Sequence, residues 1–91
     1  MLNIAICDDE IDYVNSTADA VMKILSEYEV DISTYTSGID LINNSTKRID
    51  ILFIDIEMPG LNGIETIRKL RVINPSIIAV SYTHLTLPTI A

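Results

Sequence analysis

The sequence predicts an α/β fold, a doubly wound parallel sheet with helices on both faces, and three observations support it. Apolar runs of strand length alternate with stretches whose apolar residues recur at helical spacing. The runs at 2–7 and 49–54 are almost wholly apolar, as strands covered on both faces are. Both runs lead into acids, at the carboxyl strand ends where open parallel sheets bind their ligands.

Each element follows from its own pattern. Residues 2–7 read as a buried strand. Over residues 10–26 the apolar set Ile11, Val14, Ala18, Val21, Met22 and Leu25 predicts a helix, and acids at its start suit the positive end of the helix dipole. Val30 to Tyr35 alternates apolar and polar like a half-exposed strand. Ser37-Gly38 opens a short helix with Ile39, Leu41 and Ile42 on its buried side, and Asn43 to Lys47 reads as a loop.

The third strand, Ile49 to Ile54, is apolar apart from Asp50. Gly63 starts a helix with Ile64, Ile67, Leu70 and Ile73 on one side, and Asn74-Pro75 ends it because the residue before proline avoids helix. Ile77 to Val80 is a fourth strand. The order β-α-β-α-β-α-β requires right-handed crossovers. Repeats and low-complexity segments are absent. After Val80 the tail has no helical period and carries a proline where another helix is expected.

Composition narrows the function. Ninety-one residues support one domain. Hydrophobic content of 48% excludes a disordered tail, and no apolar run approaches the ~18–20 residues that span a membrane. The N-terminus enters a strand pattern directly, so the expectation is a cytoplasmic protein without membrane contact. The single Cys7 agrees with a reducing compartment. Thirteen acids against six bases, net charge −7, argue against direct nucleic-acid binding. Four of the acids crowd into Asp8 to Asp12, which suits a cation or a basic partner.

The chemistry concentrates at two strand ends, Asp8-Asp9-Glu10 and Asp55. If the two strands are neighbours, Asp8, Asp9 and Asp55 converge, and their mutual repulsion calls for a cation. An all-oxygen site with few protein ligands suits Mg²⁺ shared with a phosphate, and an aspartate beside it can attack a phosphoryl donor. Pro59-Gly60 forces a turn after the strand and keeps the Glu57 carbonyl near the cation, while Gly63 allows a close backbone approach. The competing reading is a pair of solvated acidic strand ends in an ordinary α/β protein.

Ile4 to Glu10, IAICDDE, and Phe53 to Gly63, FIDIEMPGLNG, closely resemble the receiver domain of two-component response regulators. Their wording is most similar to receivers attached to LytTR-type DNA-binding domains. The resemblance covers residues 1–80. It implies a flavodoxin-like sheet with strand order 2-1-3-4-5, here truncated after the fourth strand to 2-1-3-4; a receiver of this order is a worked example of the general rule for such sheets. It also implies that Asp55 accepts a phosphoryl group from a sensor histidine kinase, and that Asp9 and Asp55 ligate Mg²⁺. Asp8 would assist through water, the Glu57 carbonyl would complete the ligands, and the full-length parent would carry a DNA-binding output domain.

Two family positions depart from the pattern. The phosphoryl-sensing hydroxyl falls on Ser81 or Thr83, with the register open. The family's phosphoryl-pairing lysine has no counterpart, since no lysine follows Lys69. Residues 81–91 are similar to the read-through peptides that end truncated gene fragments. On that reading the fourth helix, fifth strand and fifth helix are missing. The fourth strand is then an exposed edge open to self-association, and the face shared by the first and last helices is left apolar. Such a chain is expected to bind Mg²⁺ weakly and to phosphorylate poorly.

The remaining residues have plainer expectations. Cys7 reads as a small core residue, Met58 as packing under the turn, and Glu10 as a helix cap rather than a ligand. Arg68, Lys69 and Arg71 form a solvated face. His84 has no assigned role, and neither has Tyr82, although a place near the switch surface is open to it. Two rival functions stand beside the phosphoacceptor: an inactive fragment or non-phosphorylated interaction domain, and a Mg²⁺-dependent phosphohydrolase with an aspartyl nucleophile. The phosphohydrolase favours a second aspartate two residues after the nucleophile, where this chain has Glu57.

Overall fold

In the computed structural model, which describes residues 1–45, 48–83 and 89–90, the chain runs β1 (Leu2–Cys7), α1 (Ile11–Ile24), β2 (Val30–Tyr35), α2 (Gly38–Asn44), β3 (Ile51–Asp55), α3 (Gly63–Ile73), β4 (Ile78–Tyr82) and β5 (Thr89–Ile90). The strands form one sheet in the order β2-β1-β3-β4-β5, and the first four are parallel. This is the doubly wound, flavodoxin-like arrangement that the alternating pattern predicts. β1 and β3 are direct neighbours, with Cys7 opposite Ile54, so their carboxyl ends lie side by side.

Two cores sandwich the sheet. On one face, Leu41 of α2 and Ile67 and Leu70 of α3 pack with Ala5, Cys7, Leu52, Ile54 and Ala79. On the other, Val14 and Val21 of α1 pack on Ile4 and Ile6, with Ile51 and Phe53 at the margin. The alternation of β1 and β3 feeds both cores, which is why those strands are apolar throughout. No helix among the described residues is long and apolar enough to cross a membrane.

The predicted buried stripes are narrower than the apolar periodicity. Met22, Ile39, Ile64 and Ile73 all lie exposed. In α3 the inward positions are taken by Gly63, Thr66, Ile67 and Leu70, so Ile64 and Ile73 fall on the flanks of the stripe. Gly38 occupies the equivalent position in α2, where a Cβ would meet Thr66 Oγ1 at 2.2 Å. The two helices are in contact at this point because residue 38 lacks a side chain.

The largest departures lie at the end of the chain. β4 begins one residue later than expected and runs past Val80, taking in Ser81 and Tyr82, which pair with Ile54 and Asp55 of β3. Ile56 N–H donates to the Tyr82 carbonyl at 2.8 Å and ties the strand end to the turn after Asp55. The fourth strand is therefore not a bare edge. Thr89 and Ile90 form β5, antiparallel to it, with Thr89 opposite Ser81 and Ile90 opposite Val80. The expectation of a sheet ending at β4 is corrected in this respect, since apolar and β-branched residues in the tail supply a strand where no helical period exists. His84 lies outside the described residues.

Candidate functional site

The site is assembled at the carboxyl ends of β1 and β3. Both strands end by turning a carboxylate back onto its own backbone. Asp8 Oδ1 accepts from Glu10 N–H at 2.9 Å, and Asp55 Oδ1 accepts from Glu57 N–H at 3.1 Å. The same i to i+2 Asx geometry orients each acid in its loop. Asp8 is fully buried and Asp55 is 2% exposed, while Asp9 faces solvent at the rim.

The three acids converge as the sequence leads one to expect. Asp8, Asp9 and Asp55 each offer a carboxylate oxygen, and these oxygens lie within 4.8 Å of one another. Three hard, anionic oxygens at that separation fit a divalent cation of the Mg²⁺ class, and they repel one another without a counter-charge. Glu57 stands apart: its side chain is exposed and is not part of the cluster. That is the position where a phosphohydrolase with paired acids would carry its second carboxylate.

The loop after Asp55 is shaped by small residues. Gly60 takes φ +76°, which a side chain would strain, just after Pro59. Gly63 sits against the strand end, where a Cβ would approach the Asp55 carbonyl at 2.4 Å and Ile56 Cα at 2.8 Å. Asn62 caps α3 through a reciprocal box: its Oδ1 accepts from Glu65 N–H at 2.9 Å, and Glu65 Oε1 accepts from Asn62 N–H at 3.4 Å. This box was legible as Asn-x-x-Glu ahead of an apolar run, although sequence reasoning passed over it. Met58 is buried under the turn and receives the Cys7 thiol at 3.9 Å between sulfurs. Burial first, then the surrounding acids led by Asp8, push the Cys7 thiol up to about 12. Glu10 stands at the N-cap of α1 without a side-chain cap bond, so its backbone N–H, held by Asp8, organises that end.

Of the two hydroxyl candidates, Ser81 is buried and sits opposite Ile54, while Thr83 follows β4 and is partly buried. The residue opposite Asp55 is Tyr82. Its phenol O–H donates to Asp8 Oδ2 at 3.0 Å, and Thr17 of α1 lines the same groove as its ring. Tyr82 is the residue the sequence reading missed. With the strand carried two residues further, alternation alone would have put its side chain on the Asp55 face.

This geometry has known counterparts. Residues 4–90 match the family model of the response regulator receiver domain. The chain belongs to the receiver domain family. A receiver is a signalling module, and the assignment accounts for the sheet order and for acids at these two strand ends. Among curated relatives, the response regulator SaeR of Staphylococcus aureus is 33% identical over 72 residues, 78% of this chain. The receiver spans 29% of that relative's length.

Among solved structures, a receiver domain from Methanospirillum hungatei, described as CheY-like, superposes with a TM-score of 0.59 at 30% identity, covering 87% of this receiver and 62% of that chain. The RcsB response regulator of Salmonella typhimurium gives 0.67 at 26% identity, covering 90% of this receiver and 42% of that chain. The BeF3-activated DrrB receiver domain gives 0.80 over 96% of this receiver and 69% of that chain; at 20% identity it shows the fold.

Proposed function

We propose that this receiver is the phosphoacceptor module of a bacterial two-component response regulator, and that Asp55 takes the phosphoryl group from a sensor histidine kinase. One observation carries the reading: a nearly buried aspartate ends the central strand within 4.8 Å of two further carboxylates. An Asp55 carboxylate oxygen forms the new bond to phosphorus as the bond to the donor breaks, giving an aspartyl-phosphate. The Asp55 Oδ1 bond from Glu57 N–H fixes the carboxylate in its loop. Asp9 and Asp55 would hold Mg²⁺ directly, the Glu57 carbonyl would complete the protein ligands, and Asp8 would act through water. Mg²⁺, when bound, supplies charge neutralisation for the phosphoryl oxygens.

Ser81 or Thr83 would sense the phosphoryl group by hydrogen bonding. Ser81 is the buried one of the two and lies opposite Ile54, while Thr83 follows the strand end and is partly buried. The wording of the two motifs supports a LytTR-type DNA-binding output in a longer cytoplasmic parent.

Incubation with a small phosphodonor tests the proposal. With Mg²⁺, the wild-type chain gains acid-labile phosphate, and Asp55→Asn and Asp9→Asn do not. Absence of modification at saturating donor would contradict the proposal for this chain.

A further inference from the structure

We infer that Tyr82 is a positioning residue of the acidic pocket: its phenol O–H holds Asp8 Oδ2 and thereby lowers the pocket's affinity for Mg²⁺. The inference rests on the reading of Asp8, Asp9 and Asp55 as the cation site. Asp8 is fully buried, and each of its oxygens has a donor, Glu10 N–H on Oδ1 at 2.9 Å and the Tyr82 phenol on Oδ2 at 3.0 Å. These donors carry partial positive charge into a cluster of three carboxylates and offset part of their repulsion. A cation that draws on Asp8, directly or through water, competes for an oxygen the phenol already engages.

The phenol is built into this position. Tyr82 lies opposite Asp55 in the β3–β4 register, and its carbonyl accepts from Ile56 N–H at 2.8 Å. The ring lines the groove beside α1 together with Thr17. A phenol is protonated at neutral pH, so the hydroxyl is a donor there. A neutral donor stabilises the cation-free carboxylates without contributing a full charge, so its removal favours the cation-bound state.

Calorimetric titration with MgCl₂ tests this on the wild-type chain, Tyr82→Phe and Asp9→Asn. Tyr82→Phe keeps the ring and removes only the donor, and binds Mg²⁺ about fivefold more tightly, a fraction of what a hydrogen bond to a charged group is worth. Addition of Mg²⁺ to wild type produces a tyrosine ultraviolet difference signal that Tyr82→Phe lacks, a readout that a purely structural ring would not give. A Tyr82→Phe chain that is folded by circular dichroism and binds Mg²⁺ no more tightly than wild type overturns the inference. If Tyr82→Phe does not fold, wild type that binds Mg²⁺ saturably with no tyrosine ultraviolet difference signal overturns it. Wild type without saturable binding, or with binding that Asp9→Asn leaves intact, removes the cation site itself and the inference with it. That outcome is distinct from an unaltered Tyr82→Phe on a working site.

Discussion

Asp55 ends a strand whose other four residues are apolar, and its neighbours account for its burial. Backbone N–H groups meet one oxygen of Asp8 and one of Asp55, which lowers the cost of placing carboxylates at the core's edge. Three acids within 4.8 Å nevertheless remain mutually repulsive. Mg²⁺ therefore raises the melting temperature of wild type, by about 2.7 kcal/mol of stabilisation at a hundred times the dissociation constant, and this gain is lost in Asp9→Asn. Differential scanning fluorimetry across a MgCl₂ series measures it.

Cys7 makes a second prediction at this scale. Its thiol is raised from 9.0 to about 12 in the folded chain, so the native state retains a proton that the unfolded state releases. The stability this represents is fully present below pH 9 and is lost as pH rises towards 12. Melting temperature falls across that window, and Cys7→Ala flattens part of the slope. At neutral pH the buried thiol resists iodoacetamide in the native state and reacts on unfolding.

Among the elements, the turn from β3 into α3 sets the pocket's geometry. Gly63→Ala forces a Cβ against the Asp55 carbonyl, and overpacking of that kind costs about 1–3 kcal/mol. Urea denaturation measures the loss. Chemical shifts of Asp55 and Ile56 move in the same variant, because the clash lies on their backbone. Asn62→Ala removes the capping box and costs about 1 kcal/mol, without displacing the acids.

The element scale also shows what was legible in the sequence. Strand ends carrying Asp8 and Asp55 could be read because a charge closing an apolar run is a local signal. The partnership of β1 with β3 is left open by spacing alone and comes with the strand order that the family resemblance implies. Tyr82 was not legible, since its role depends on β4 extending past Val80, and no local feature marks that strand's end. Ile64 and Ile73 look like core residues by period, yet Gly63 and Thr66 share the inward positions of α3 with Ile67 and Leu70.

For the whole molecule, the consequence of this sheet is an asymmetry between its faces. α2 and α3 cover one face. On the other, α1 is the one covering helix among the described residues, beside a groove of about 580 Å³ whose walls include Tyr13, Ile24, Phe53, Val80 and Tyr82. The apolar face expected from the sequence is present as this groove, whereas the bare β4 edge is not, because β5 pairs with Val80 and Ser81. A hydrophobic dye such as ANS binds the native chain through the groove. Ile24→Glu, at a position 78% exposed, weakens the dye signal with little change in stability. An unaltered signal would place the dye elsewhere.

The account depends most on where a phosphoryl group lands. Treatment with a small phosphodonor and Mg²⁺, followed by borohydride reduction and peptide mass mapping, converts an aspartyl-phosphate into homoserine at its own position. The pocket described here predicts homoserine at residue 55 and none at 8 or 9. Conversion at residue 8 or 9, with Asp55 intact, would contradict it.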